Sequence, residues 1–303
     1  MPERAGLVGL CFNRTVDREL VHRRSLSEVL LTDALRVSDG VFLIGAQWPR
    51  WHVFYGSIHD GYNSALIAET LRQATIMTAH SMLEVPLDRR FLLSSMTVSR
   101  NDTDSVPDLA AEAGVTLQLL DVHRSAGSVS KMVVQAEFVV DGEPVATGTA
   151  KARIVGEGTY ARLRGLPAAE GTFLETARLP ARQVGHTSRR NVVLGVTSGQ
   201  NRWPLLVDAS NPIFFDHPLD HVPGALLIEA ARQAVRAGTG CPDRDLASFD
   251  STFAEFVELT DESEVVITDL VEDADSVSAV VEIRVGDQVA MTTRAVASGP
   301  NQA

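Results

Sequence analysis

The segment NPIFFDHPLDHVPGALLIEAARQA, residues 211–234, has a counterpart 160 residues earlier in WHVFYGSIHDGYNSALIAETLRQA, residues 51–74. Aligned without a gap, the two share Phe54/Phe214, Asp60/Asp220, Ala65/Ala225, Leu66/Leu226, Glu69/Glu229, Arg72/Arg232, Gln73/Gln233 and Ala74/Ala234. A period this long lies well above the roughly 20 to 50 residues of solenoid units, so it indicates duplication of a whole domain. Each copy reads as a loop that runs into a helix. In the second, Pro223-Gly224 stands where the loop gives way to the helix. Ala225, Leu226, Leu227, Ile228, Ala230, Ala231, Ala234 and Val235 then cover nearly every side of it. A helix that is apolar all round is a buried one.

The elements around each copy come in the same order. In the first half an apolar stretch at 41–47 precedes the repeat, and strand-like alternation follows at 91–98, 115–122, 131–140 and 145–154, with Asp141-Gly142 as a hairpin turn. In the second half 191–196 and 205–208 precede the repeat, and 246–256, 264–270, 277–285 and 289–297 follow, with Gly286-Asp287 as the last turn. Residues 157–185, rich in Gly, Pro, Ala and Arg and without sustained period, read as a linker. The expected organisation is a first repeat over 17–156, the linker over 157–185 and a second repeat over 186–298. One buried helix followed by antiparallel strands that wrap it is the α+β arrangement called a hotdog. Two in one chain make a tandem double hotdog, an intrachain pseudo-dimer with further homo-oligomerisation left open.

Composition narrows the class. With 303 residues and 45% hydrophobic content the chain supports a substantial core. A net charge of −12 argues against a nucleic-acid binder, which needs a concentrated basic face. No apolar run approaches the roughly eighteen residues of a membrane span, and MPERAGLVGL lacks the layout of a secretory signal, so the expected location is the cytoplasm. Cys11 and Cys241 read as free thiols of a reducing compartment. Of 27 basic residues only Lys131 and Lys151 are lysines; the arginines that make up the rest suit bidentate binding of phosphate or carboxylate.

The repeated charges pose the functional question. Glu69, Arg72 and Gln73 stand at i, i+3 and i+4 and share a helix face, as do Glu229, Arg232 and Gln233. One reading is a structural ion pair in each copy. The other is that a carboxylate on so apolar a helix lines a reaction cavity, where desolvation raises its pKa toward that of a useful base.

Two resemblances bear on the choice. VPGALLIEAARQA (222–234) looks like the central-helix signature of hotdog 3-hydroxyacyl-carrier-protein dehydratases, but Phe215 stands where their loop histidine belongs, and His217 reaches it only if two loop residues are dropped. VHRRSLSEVLLTD (21–33), FLIGAQWPRWHVFYG (42–56), ALIAETLRQA (65–74), RRNVVLGV (189–196) and FFDHPLDHVPG (214–224) together resemble the A-factor biosynthesis hotdog-repeat family, which makes γ-butyrolactone and furan signalling molecules. The resemblance implies transfer of a β-ketoacyl group from acyl carrier protein to a hydroxyl of dihydroxyacetone phosphate. The acyl group would arrive on the carrier's phosphopantetheine arm, with no other cofactor.

On that reading Glu69 is the expected base or hydroxyl-orienting carboxylate, with Glu229 its equivalent, and Arg232 the substrate-facing cation. Helix-start N–H groups near Ser64 and Gly224 would polarise the thioester carbonyl. Arg72, Gln73, Glu229, Gln233, His217, His221 and Gly224 complete the expected substrate-binding set, the glutamines as helix-orienting hydrogen-bond partners. No metal is expected: His217 and His221, with Asp216 and Asp220, lie in a loop marked by Pro218 and Pro223, where i, i+4 spacing does not form one face. His52 and His59 stand in the matching loop of the first copy. His22-Arg23-Arg24 and His186 with Arg189-Arg190 precede comparable strands and offer positive charge to an acidic carrier or a phosphate. A dehydratase or thioesterase, and a non-catalytic acyl-binding module with purely structural Glu-Arg pairs, stand as alternatives.

Overall fold

A computed structural model describes residues 9–57, 61–101, 110–125, 127–165, 177–197, 199–273 and 276–298. The chain divides into two compact units, Met1–Leu166 and Pro167–Ala303, with the border inside the segment 157–185.

The first unit runs β1 (Leu31–Ser38), β2 (Val41–Trp48), a short hairpin of β3 (Trp51–His52) and β4 (Gly56–Ser57), α1 (Ser64–Leu83), β5 (Arg90–Arg100), β6 (Ala111–Ser125), β7 (Ser128–Val140), β8 (Glu143–Val155) and α2 (Glu157–Arg164). Its main sheet has the order β1-β2-β6-β7-β8-β5, antiparallel throughout. At the β7–β8 turn Asp141 (φ 52°) and Gly142 (φ 87°) both take the left-handed conformation, as a two-residue hairpin turn matched to strand twist requires. Helix α1 lies across the sheet, touching β5, β8, β2 and β7, and buries Leu66, Ile67, Leu71, Ala74 and Met77. Trp48 at the end of β2 donates its indole N–H to Thr70 Oγ1 at 2.9 Å, which fixes where the helix sits along the strands.

The second unit has β9 (Arg202–Pro204), α3 (Gly224–Thr239), β10 (Leu246–Phe253), β11 (Ser263–Glu272), β12 (Ser276–Val285) and β13 (Gln288–Ser298). Its strands are ordered β10-β13-β12-β11-β9, again antiparallel, and α3 packs on β10 through β13. Each unit therefore has a central helix, packed on its sheet, followed by four antiparallel strands, the hotdog arrangement.

Two local expectations change. Residues 191–196 and 205–208 read as strands, yet Leu194–Leu205 and Arg178–Gly195 form only isolated bridges there. The carbonyl of Asn191 and the N–H of Val193 bond the side chain of Gln233, and the backbone at 193–196 is shared between two segments, 177–179 on one side and 204–206 on the other, so no continuous ladder forms. Conversely β1 gives no alternation in sequence because its second half is exposed, so burial imposes no period on it.

The helix-on-sheet contact of the first unit is tight at Gly148 on β8. A Cβ there would lie 2.9 Å from both Leu71 Cδ2 and the Thr97 carbonyl. Gly148→Ala is expected to lower stability by about 1–3 kcal/mol, because a backbone oxygen cannot step aside as a side chain can. A denaturant titration showing no loss would contradict so close an approach.

Candidate active site

The helix trio is wired the same way in both units. In the first, Gln73 accepts the Leu30 N–H at 3.0 Å and donates to the Glu28 carbonyl at 2.8 Å and to Glu69 Oε1 at 2.6 Å. In the second, Gln233 accepts the Val193 N–H at 3.0 Å and donates to the Asn191 carbonyl at 2.7 Å and to Glu229 Oε1 at 2.8 Å. Those backbone partners are 163 residues apart, not 160, so three extra residues separate the upstream segment from the repeat in the first half. The shifted register sets Arg23 against His186 and His22 against Gly185. Arg23 Nη2 stands 2.8 Å from Glu69 Oε1, and His186 Nε2 stands 2.7 Å from Glu229 Oε1. His22 (φ 51°) and Gly185 (φ 74°) each close a 3-10 turn in the left-handed conformation, Arg18–Val21 and Ala181–Val184. The trio thus clamps the preceding segment onto the central helix in each unit.

The arginines differ. Arg72 donates through Nε and Nη2 to Glu69, both at 2.8 Å, and through Nη2 to the Val21 carbonyl at 3.2 Å, while its side chain stays 27% exposed. Arg232 is 1% exposed: Nη1 donates to Glu229, and Nε and Nη2 donate to Asp245 Oδ1 at 3.0 and 2.8 Å. Arg236, one turn on, takes over the neighbouring carbonyl, donating to Val184 at 3.2 Å.

This geometry corrects two expectations. Burial raises the pKa of Glu69, but the charges of Arg23 and Arg72 and hydrogen bonds from Arg72 and Gln73 hold it down at about 2. Glu229 is likewise raised by burial and pulled to about 2, chiefly by Arg232 and His186. Ion pairing outweighs desolvation, and a carboxylate so acidic is a poor base near neutral pH, so Glu69 is not suited to the role expected of it. Arg232, enclosed by two carboxylates, is a structural cation and not a substrate-facing one. Arg23 and His186 likewise turn inward to the clamp, so His22-Arg23-Arg24 is not simply a solvated cationic patch.

The starts of the two helices do differ in what they leave open. At α1 the side chain of Asn63 accepts the Ala65 N–H at 2.9 Å and donates to the Tyr55 carbonyl at 3.0 Å, closing the helix end. At α3 Pro223 occupies the capping position and supplies no side-chain hydrogen bond. The N–H groups of Leu226 and Leu227 turn back to its carbonyl at 2.9 and 3.3 Å, while those of Gly224 and Ala225 have no partner among the described residues. Just upstream, His221 Nδ1 lies 2.8 Å from Asp220 Oδ1 and the imidazole meets the Phe256 ring at 4.9 Å. Val222 N–H bonds the Val257 carbonyl at 2.8 Å and anchors the loop. His217 is half-buried in the same loop and engaged there. His52 Nδ1 accepts the N–H groups of Phe54 and Tyr55 at 3.2 and 3.3 Å, a loop-holding role. His59 and Asp60 lie outside the described residues. Among the described residues no three His, Cys, Asp or Glu side chains are grouped as metal ligands.

Of the expected set, the structure brings Glu69, Arg72 and Gln73 together in one clamp and Glu229, Arg232 and Gln233 in another, and places His221 in the loop three residues before Gly224. Asp220, Asp245, Arg236, Arg23 and His186 were not singled out for these contacts. The signal for the last two was the change of offset from 160 to 163. The signal for the open helix start was Pro223 in place of Asn63, since asparagine caps a helix and proline does not.

A family model for the A-factor biosynthesis hotdog domain matches residues 10–156 and 172–254. A 2-oxo-3-(phosphooxy)propyl 3-oxoalkanoate synthase of Streptomyces virginiae is 34% identical over 225 residues, spanning 74% of this chain and 76% of that protein. One of the same name from Streptomyces griseus is 33% identical over 219 residues, spanning 71% and 73%. Among solved structures, a protein described as an oleoyl thioesterase from Lactobacillus plantarum superposes with TM-score 0.52 at 14% identity, over 86% of this chain and 97% of its own. The 12:0-ACP thioesterase of Umbellularia californica does so with TM-score 0.51 at 10% identity, over 85% and 94%. At such identities the two thioesterases show a shared fold and nothing of the reaction.

Two outcomes check the clamp. Arg232→Met is expected to cost about 3–5 kcal/mol in denaturant unfolding, because Glu229 and Asp245 lose their shared cation; a loss below about 1 kcal/mol would contradict it. Because the pKa of Glu69 is depressed from 4.5 to about 2, its contribution to stability is complete above pH 4.5 and disappears as pH falls toward 2. Glu69→Gln is therefore expected to flatten the fall in unfolding midpoint across that window, and an unchanged slope would count against the ion pair.

Proposed function

The chain belongs to the A-factor biosynthesis hotdog-domain family, and from that membership we propose that it moves a β-ketoacyl group from the thioester of an acyl carrier protein to a hydroxyl of dihydroxyacetone phosphate. The product is the ester that the relatives' name describes, a 2-oxo-3-(phosphooxy)propyl 3-oxoalkanoate, a precursor for γ-butyrolactone or furan signals. The observation that supports a reaction at this fold is the start of α3. Two adjacent N–H groups, of Gly224 and Ala225, stand unpaired among the described residues at the positive end of the helix.

Ester formation requires a new C–O bond from the acceptor hydroxyl to the thioester carbon and loss of the C–S bond. Negative charge gathers on the carbonyl oxygen between those events. Fixed N–H donors aimed at that oxygen bind it more strongly in the transition state than in the thioester, which is where they accelerate the reaction. Gly224 suits the position, since a residue without a side chain lets a carbonyl come close to the backbone. At α1 the side chain of Asn63 already holds the Ala65 N–H, so that start is less suited to the task.

The acyl group would come on the phosphopantetheine arm of the carrier, with no further cofactor required by this chemistry. Among the described residues no helix is long and apolar enough to cross a membrane. A carrier-bound thioester and a phosphorylated triose are met together in the cytoplasm, and that is where we place the reaction.

The test is intact-mass spectrometry of a β-ketoacyl carrier protein incubated with the full chain, with and without dihydroxyacetone phosphate. The expected result is loss of the acyl group only with the acceptor present, together with the phosphorylated ester or its cyclised butenolide. Loss without the acceptor would mean a thioesterase, and no loss over a range of acyl chains would leave a binding module.

A further inference from the structure

Acyl transfer to an alcohol needs a group that takes the hydroxyl proton, and the two buried glutamates are fixed as anions that hold arginines in place. The described histidines outside the loop that precedes α3 serve other parts of the fold. His22 and His80 bond each other at 2.9 Å, His186 serves Glu229, and His52 holds its own loop. His123 stands on the strand β6, well exposed, beside Asp121 at 3.4 Å. His221 differs in place and setting. It lies three residues before the open N–H of Gly224, 23% exposed, with its Nδ1 on Asp220.

We infer that His221, oriented by Asp220, is the catalytic base of the transfer. This assignment rests on the acyl-transfer reading above and supplies the residue that reading lacks. The carboxylate of Asp220 accepts only, so in this pair the shared proton is on Nδ1, and Nε2 is the atom that takes the hydroxyl proton in the proposed step. The edge of Phe256 against the ring and the bond from Val222 to Val257 limit how the imidazole can turn. An oriented imidazole in the loop that leads into a helix start with open N–H groups supplies the parts that acyl transfer uses on unrelated folds.

The step balances without any other reagent. As the acceptor oxygen bonds to the thioester carbon, its proton passes to His221 Nε2, and Asp220, remaining ionised, faces the imidazolium. When the C–S bond breaks, the imidazolium returns that proton to sulfur. Thioester and alcohol become ester and thiol.

The chain contains its own comparison. In the gapless register of the loop and helix, Gly61 stands at the position of His221 and Asn63 at that of Pro223. At those two positions the first unit has a glycine and a capping asparagine, whose side chain closes one of the corresponding N–H groups, while the Glu-Arg-Gln clamp is kept.

The experiment follows acyl loss from the carrier in single turnovers with dihydroxyacetone phosphate, using the full chain and its variants. His221→Gln is expected to lower the turnover rate by about 10²–10⁴-fold with KM for the acceptor held within about threefold. Added imidazole is expected to restore part of the rate to His221→Ala, which a purely structural histidine would not allow. Wild type transferring while folded His221→Gln keeps a rate within about threefold of it would overturn the assignment and leave the acyl-transfer reading standing. If His221→Gln does not fold, Asp220→Asn, at a side chain 44% exposed, decides: a slowed rate supports the dyad and an unchanged one overturns it. Wild type that moves no acyl group under any of these conditions removes the acyl-transfer reading and the assignment with it.

Discussion

A carboxylate placed on the second turn of a helix buried on all sides is the constraint around which each unit is arranged. Desolvating it alone costs several kcal/mol, and the cost is tolerable only when donors surround it. Glu69 has Arg23, Arg72 and Gln73; Glu229 has His186, Arg232 and Gln233. The glutamine of each set reaches past its glutamate to a backbone carbonyl and N–H of the preceding segment. The clamp therefore joins helix to upstream chain, and it explains why those charges recur on so apolar a helix without requiring either to do chemistry.

Fixing the helix in this way also fixes its first turn. Because α3 begins with proline and glycine, the donors of that turn are left over after the helix has formed, and the loop that precedes it carries an oriented imidazole. In α1 the same turn is closed by Asn63. Scaffold and chemistry are thus separable along one helix: the Glu-Arg-Gln face is satisfied internally, while the N-terminal end faces outward. That separation lets the two units differ at the helix start while sharing the same clamp.

Much of this was legible in the sequence. The repeat at constant offset located the two central helices and most of the strands that follow each along the chain, because a buried helix and half-buried strands impose periods that side chains must obey. What remained hidden depends on partners distant in sequence. The pKa of Glu69 turns on Arg23, 46 residues away, and the fate of Arg232 turns on Asp245 across a helix end. Desolvation considered alone pointed upward for Glu69, whereas the completed ion pairs pull it down. Residues 191–196 looked like a strand because apolar residues recur there, but their backbone is divided among the Gln233 side chain and two flanking segments. The contrast between Asn63 and Pro223 was present in the letters and became meaningful only once both helix starts were seen.

The central claim is that acyl substrate meets the chain at the start of α3. Selective ¹⁵N labelling of glycine gives at most 22 amide signals, among them those of Gly224 and its counterpart region's Gly61. Titrating in a β-ketoacyl pantetheine analogue with an amide in place of the thioester, the Gly224 signal is expected to shift saturably while that of Gly61 stays in place. A shift at Gly61 with Gly224 unmoved would contradict the account.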